Sequence, residues 1–277
     1  MRNPAFSPAR KPLPLRWNKG FWRCKKCRST CVSMKSNPLE LRLKKQFAKA
    51  VTEFGLIADG DHVLIALSGG KDSLLLTELL GRRSLIHRPR FKVSAVHVRM
   101  ENIPYETDTA YLSDFCAANH VQLHVVTTRF DAEPSTAGQR RKPECFLCAW
   151  QRRKKIFELA QTLGCQKIAL GHHMDDILHT ALMNELFEGR FASMPVKLKM
   201  QKMPLTIIRP LALCQESDIL SYSRQQGYRQ QKKSCPFERE THRAQVADLF
   251  RQMEELNPEA RYSLWHALET AGKLVEE

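Results

Sequence analysis

The chain has 277 residues, 43% hydrophobic and 26% charged, the composition of a globular protein with a full core. No run approaches the roughly 18 apolar residues of a membrane span, and the N-terminus lacks the apolar stretch of a secretory signal, so no membrane association is expected. Residues 1–50 carry 14 Lys or Arg against one acid, Glu40, and so hold +13 of the net +15. Such a basic arm suits a polyanion such as nucleic acid, because phosphate contacts release condensed counterions; a solvated tail is the plainer alternative.

Residues 1–36 read as an extension: Pro4, Pro8, Pro12 and Pro14 lie among basic residues without a hydrophobic period, and Met34 precedes a stretch resembling an ordinary start. From Asn37, a candidate N-cap, the apolar residues Leu39, Leu41, Leu43, Phe47, Ala50, Val51 and Phe54 are expected on one helical face. Apolar β-type runs then lie at 62–67, 91–98, 121–127 and 167–171, alternating with helical patterns at 73–81, 106–119, 146–163, 174–188 and 216–226. Residues 240–271 read as one or two helices joined near Pro258. This alternation predicts an α/β fold with a doubly wound, Rossmann-like parallel sheet, whose ligand site lies beyond the carboxyl ends of the strands. The expected division is 1–36 as extension, 37–230 as the α/β domain and 231–277 as a small C-terminal helical segment.

The first strand runs into Ser68-Gly69-Gly70-Lys71-Asp72-Ser73 and then a helix. Two glycines let backbone amides approach an anion, the helix N-terminus adds positive potential, Lys71 adds a cation and the serines add hydroxyl donors. The spacing differs from a Walker A loop, which has four residues between its first glycine and Gly-Lys. A tight turn with glycines for packing alone is the plainer alternative.

Nine cysteines, an odd number without a secretion signal, point to a reducing compartment, with cytoplasm as the default. Cys145 and Cys148 have the spacing at which two thiolates reach one metal or cluster, although small buried residues at a helix start would look the same. Arg140, Arg141, Lys142, Arg152, Arg153, Lys154 and Lys155 surround them against Glu144 alone, a field that favours thiolates. Cys116, Cys165 and Cys214 lie in or beside apolar patterns and read as buried small residues. Cys24, Cys27 and Cys31 form a further group without a nearby fourth ligand. Gly171-His172-His173-Met174-Asp175-Asp176 follows the fourth strand and opens a helix on the same sheet edge as the glycine turn. Its carboxylates either cap the helix or hold magnesium on a nucleotide, and a histidine could touch substrate.

SGGKDS after a buried strand resembles the PP-loop of the N-type ATP pyrophosphatases, which cut ATP between the α and β phosphates and adenylate a substrate. Together with ECFLCAWQRRKKIFELAQTLGCQKIALGHHMDDIL (144–178), MPVKLKM (194–200), IIRPLALCQESDI (207–219) and Cys235, the chain from about 37 to 265 resembles the tRNA 2-thiocytidine biosynthesis family. That resemblance implies an ATP-dependent tRNA thiolase acting on cytidine 32 of the anticodon loop. It places ATP on Ser68–Ser73, Gly171 and His172, and catalytic roles on Lys71, Asp72 and Asp176. Asp72 is expected to orient Lys71 or the metal; magnesium falls on Asp175 and Asp176.

The family's three cysteines hold a [4Fe–4S] cluster with one iron open; they fall on Cys145, Cys148 and Cys235, and His242 would be a fourth ligand were the metal zinc. The segment around Cys235 is shorter and poorer in cysteine than the family pattern. The implied partners are tRNA and a cysteine desulfurase or other sulfur donor, with a homodimer left open. A uridine thiolase, a lysidine-synthetase-like ligase and a zinc-containing RNA-binding protein are the alternatives.

Overall fold

In the computed structural model, the described residues are 37–103, 107–130, 144–231 and 242–277. The elements run α1 (Pro38–Glu53), β1 (His62–Ala66), α2 (Lys71–Ser84), β2 (Lys92–Met100), α3 (Thr109–Ala118), β3 (Gln122–Thr128), α4 (Glu144–Thr162) and β4 (Lys167–Ala169). They continue through α5 (Met174–Glu188), β5 (Lys197–Lys199), β6 (Thr206–Ile208), α6 (Glu216–Gln225), α7 (His242–Leu256), α8 (Ala260–Thr270) and β7 (Val275–Glu276). Asn37 starts α1 as expected, its side chain accepting the Leu39 amide N–H at 3.1 Å. Leu41, however, is exposed, because it stands two residues from both Leu39 and Leu43 and so leaves their common face.

The strands form one sheet in the order β3-β2-β1-β4-β6-β5-β7. The first five are parallel neighbours, β5 is antiparallel to β6, and β7 is parallel to β5. The doubly wound α/β expectation therefore holds. The sequence reading lacks β5, β6 and β7: strands of three, three and two residues are too short to show a period of two. MPVKLKM and IIRPL supply the β5–β6 hairpin, with Lys197 opposite Ile208 and Lys199 opposite Thr206.

Alternation along β1 divides the core. Val63 and Ile65, with Leu67 just beyond, pack among α1, α2, α3, α5, α6, α7 and α8. Leu64 faces the other way and, with Val96, Val98 and Ile168, packs against Ala160, Ile156 and Phe157 of α4. Among the described helices only α4 covers this second face. Because β1, β2, β3 and β4 are parallel, α2, α4 and α5 all begin at the carboxyl edge of the sheet. No described helix is long and apolar enough to cross a membrane.

Candidate active site

Leaving β1, the chain reverses through Gly69, whose φ of +81° is a conformation side-chain-bearing residues rarely adopt. Gly70 then N-caps α2 without a side-chain cap, so the first amides of the helix meet no intrahelical acceptor. Ser73 Oγ donates to the Gly70 carbonyl at 2.9 Å and lies 3.1 Å from Ser68 Oγ, closing the turn on itself. Lys71 Nζ donates to Asp72 Oδ2 at 3.2 Å and to Glu216 Oε1, on α6, at 2.9 Å. Burial works against its charge, but these two carboxylates outweigh burial and raise its pKa above the ordinary lysine value. Asp72 Oδ1 is buried and has no hydrogen-bond partner among the described residues.

The second turn touches the first. A Cβ on Gly171 would stand 3.1 Å from the Asp72 carbonyl carbon and the Ser73 nitrogen, so a side chain here would push the two backbones apart by a few tenths of an ångström. His173 N-caps α5, and Asp176 Oδ2 accepts the His173 amide N–H at 3.1 Å, the carboxylate half of a capping box. His173 Nε2 is 3.4 Å from Asp176 Oδ2 and 3.9 Å from Asp72 Oδ1. Burial opposes charging this ring, yet the surrounding Asp175, Asp176 and Asp72 raise its pKa.

Asp175 has both oxygens engaged: Oδ1 accepts from Arg261 at 2.6 Å and Oδ2 accepts the Glu216 amide N–H at 2.7 Å. Burial would push its carboxyl up, but His173, that amide and Arg261 hold it well below the usual carboxylate range. Asp176 Oδ1 faces Arg243 at 3.6 Å.

His172 is held from behind. Arg209, only 6% exposed, donates from Nε to His172 Nδ1 at 3.1 Å and from its guanidinium to the Pro195 carbonyl. Pro195 and Arg209 come from MPVKL and RPL, so the β5–β6 hairpin brings those two segments together behind the second turn. Burial and then the Arg209 charge bring the His172 pKa down to about 4, leaving a neutral ring. With Nδ1 accepting, the ring proton sits on Nε2. Burial also lowers Arg209 to about 10, against the pull of Asp176 and Glu276.

Three further residues support the turn and were not singled out by sequence reasoning. His97 on β2 is buried and bonds through Nδ1 to the Leu67 carbonyl at 2.8 Å, while its Nε2 has no partner among the described residues. Glu216 joins Lys71 to Asp175. The Gln231 amide N–H donates to the Gly69 carbonyl at 3.1 Å, and its Oε1 accepts the Asp108 amide N–H at 2.8 Å. A Cβ on Gly69 would stand 2.3 Å from Gln231 Cγ.

Cys145 and Cys148 lie in the first turns of α4, three residues apart, Cys145 exposed and Cys148 half-buried. Cys116, Cys165 and Cys214 are buried as expected, and burial pushes their thiols up to about 11, 11 and 12. Cys235, like Cys24, Cys27 and Cys31, lies outside the described residues. His242 stacks on Phe187 with ring centroids 4.8 Å apart, and its Nδ1 is 3.1 Å from Gln245 Oε1. Among the described residues no group of three or more His, Cys, Asp or Glu is arranged to hold a metal ion.

The sequence profile of the PP-loop domain matches residues 39–249. A tRNA-cytidine(32) 2-sulfurtransferase of Pseudomonas putida is 31% identical over 244 residues, 87% of this chain and 88% of that protein. The enzyme of the same name from Geobacter sulfurreducens is 32% identical, covering 82% of this chain and 88% of its own. Among solved structures, the U34-tRNA thiolase NcsA of Methanococcus maripaludis, with its [4Fe–4S] cluster, superposes with a TM-score of 0.68. It is 22% identical, covers 86% of this chain and 81% of its own, and so shares the fold. The chain belongs to the PP-loop family, within the group of tRNA-cytidine(32) 2-sulfurtransferases.

Proposed function

We propose that this enzyme thiolates a tRNA cytidine, at position 32 by likeness to its relatives, in two steps. The cytosine O2 attacks the ATP α-phosphorus, forming an O–P bond and releasing pyrophosphate; a sulfide sulfur then attacks C2, forming a C–S bond and expelling AMP. One observation carries the reading: an uncapped, lysine-bearing phosphate turn lies against a second turn at one sheet edge, in a chain 31% identical across 87% of its length to cytidine thiolases.

The first turn supplies amides of residues 71–73 and the Lys71 cation to the phosphates, and these stabilise the charge that develops as pyrophosphate leaves. Lys71 reaches ATP by exchanging Glu216 for phosphate oxygens. His172 presents an Nε2–H donor that needs no change of protonation at neutral pH. A magnesium ion on the nucleotide suits Asp72, with its unpartnered Oδ1, and Asp176, better than Asp175, whose oxygens are already taken. When bound to Cys145, Cys148 and Cys235, a [4Fe–4S] cluster supplies a Lewis-acidic carrier for the incoming sulfur. Cys145 and Cys148 fit such a group, being one helical turn apart at the carboxyl edge. The segment bearing Cys235 starts at Gln231, on the phosphate turn itself. A cysteine desulfurase or another donor supplies the sulfur.

The test is anaerobic purification, iron and sulfide analysis, and incubation of the enzyme with ATP, magnesium, sulfide and unmodified tRNA. Nucleoside analysis should show 2-thiocytidine, lost in Cys145→Ala and in the absence of ATP. Appearance of 2-thiouridine instead would reassign the base, full thiolation by Cys145→Ala would overturn the cluster's part in it, and no thionucleoside in the wild type would point to a ligase.

A further inference from the structure

Most of α4 is accounted for by packing or by its cysteines, but the exposed Trp150 is not. Leu147, Cys148, Ile156 and Phe157 pack against the smaller core. Phe146 and Trp150, four residues apart and so on one helical face, are instead 52% and 49% exposed. Lys154 continues the stripe one turn on, its Nζ 5.5 Å from the centre of the Trp150 ring. Arg152, Arg153, Lys154 and Lys155 follow directly, against Glu144 and Glu158 at either end of the region.

We propose that Trp150, with Lys154 against its ring, is a stacking platform for an unpaired base of the RNA loop that presents the target nucleoside. The inference rests on the tRNA-thiolase reading and adds to it the group that receives the neighbouring base. A large exposed aromatic with a lysine against its ring, on a helix turn rich in basic residues, is matched by a ligand that is both flat and anionic, and single-stranded RNA is such a ligand. An acidic protein would satisfy the cations but offers no systematic π-face to the indole. Along the helix axis Trp150 is only ~3 Å from Cys148 and ~7.5 Å from Cys145. Residues two and five apart point to different flanks, however, so the platform and the thiols share the N-terminal half of α4 and not one face. A base held on Trp150 therefore anchors the RNA loop over the N-terminal half of α4, one helix diameter (~10 Å) across from the thiols.

Anaerobically purified full-length enzyme, wild type and variants, would be titrated with an unmodified anticodon stem–loop RNA and with a fully paired duplex at several salt concentrations. Trp150→Ala should bind the stem–loop about 5- to 100-fold more weakly, the size of one base–aromatic stack, with an unchanged salt slope and unchanged duplex binding. Trp150→Phe should keep the affinity within about threefold but lose the RNA-induced quenching of tryptophan fluorescence. Lys154→Ala should instead lower the salt slope by about one.

Wild-type thiolation alongside unaltered stem–loop affinity in Trp150→Ala, or unaltered quenching in Trp150→Phe, would overturn the platform and leave the thiolase standing. Wild-type enzyme that binds neither stem–loop nor tRNA would overturn both. If Trp150→Ala turns over normally with free sulfide and RNA but fails only with a protein sulfur donor, the stripe is a protein-docking surface and the inference falls. Melting curves check the fold of Trp150→Ala; should it melt early, the Trp150→Phe quenching result decides alone.

Discussion

Arg209 does more at the residue level than its place in a short RPL segment suggests. A guanidinium 6% exposed loses solvation, and here it is compensated by donating to the Pro195 carbonyl and to His172 Nδ1. The effect is to fix one tautomer of His172 next to the phosphate turn. Arg209→Gln is expected to leave a mixture of tautomers, visible in ¹⁵N ring shifts, and to slow ATP-dependent pyrophosphate release by roughly 10- to 100-fold, the usual span for a mispositioned catalytic contact. Lys71 and the two glycines of its turn were legible as a candidate phosphate turn, because strand, glycines, lysine and helix follow one another directly in the sequence. Arg209, Glu216 and Gln231 were not, since each acquires its role from a partner far along the chain: 37 residues for Arg209 and His172, 145 for Lys71 and Glu216.

For whole elements, the clearest coupling is between α2 and α6. Glu78 on α2 is 4% exposed, yet it accepts from Tyr222 at 2.7 Å, accepts from Tyr228 beyond α6, and pairs with Arg82 at 3.0 Å. Burial first and the Glu78 charge beside them raise both tyrosine pKa values, so the phenols remain donors. This buried carboxylate ties the chain leaving α6 to the helix that carries the phosphate turn, three residues before Gln231 reaches Gly69. Tyr228→Phe should cost about 1–3 kcal/mol, the penalty for under-satisfying a buried charged acceptor, read as a lower denaturant midpoint at constant slope. The long elements β1 to β3 and α1 to α6 could be read from the residues to within a few positions, and the three-residue β4 only because it lies in the longer apolar run 167–171. The β5–β6 hairpin could not: three-residue strands show no alternation, and its pairing is set by the β4 edge it joins.

Across the molecule, buried histidines set the acid response. His172 is brought down to about 4, and burial also lowers His97 and His179, whereas an unfolded histidine titrates near 6.5. The unfolded chain therefore binds more protons than the folded one between these values, and stability falls as pH drops from about 6.5 to about 4. His173 has the opposite sign, its raised value adding stability below 6.5 that is lost as pH climbs through it. Chemical denaturation at stepped pH should show the acid-side decline, with a slope reduced by up to one proton in His172→Gln.

The two faces of the sheet are also unequal, with ten buried residues in the cluster under α4 and thirty-eight in the cluster opposite, among the described residues. Local opening costs roughly what is uncovered, so the thinner layer should detach from the sheet before the thicker one yields. Native-state amide exchange should then find α4 protected by a smaller free energy than α2 and α5, and more sensitive to mild denaturant. Cys145, Cys148 and Trp150 would thus ride on the less firmly anchored of the two described layers, while the Ser68–Ser73 turn is rooted in the more stable one.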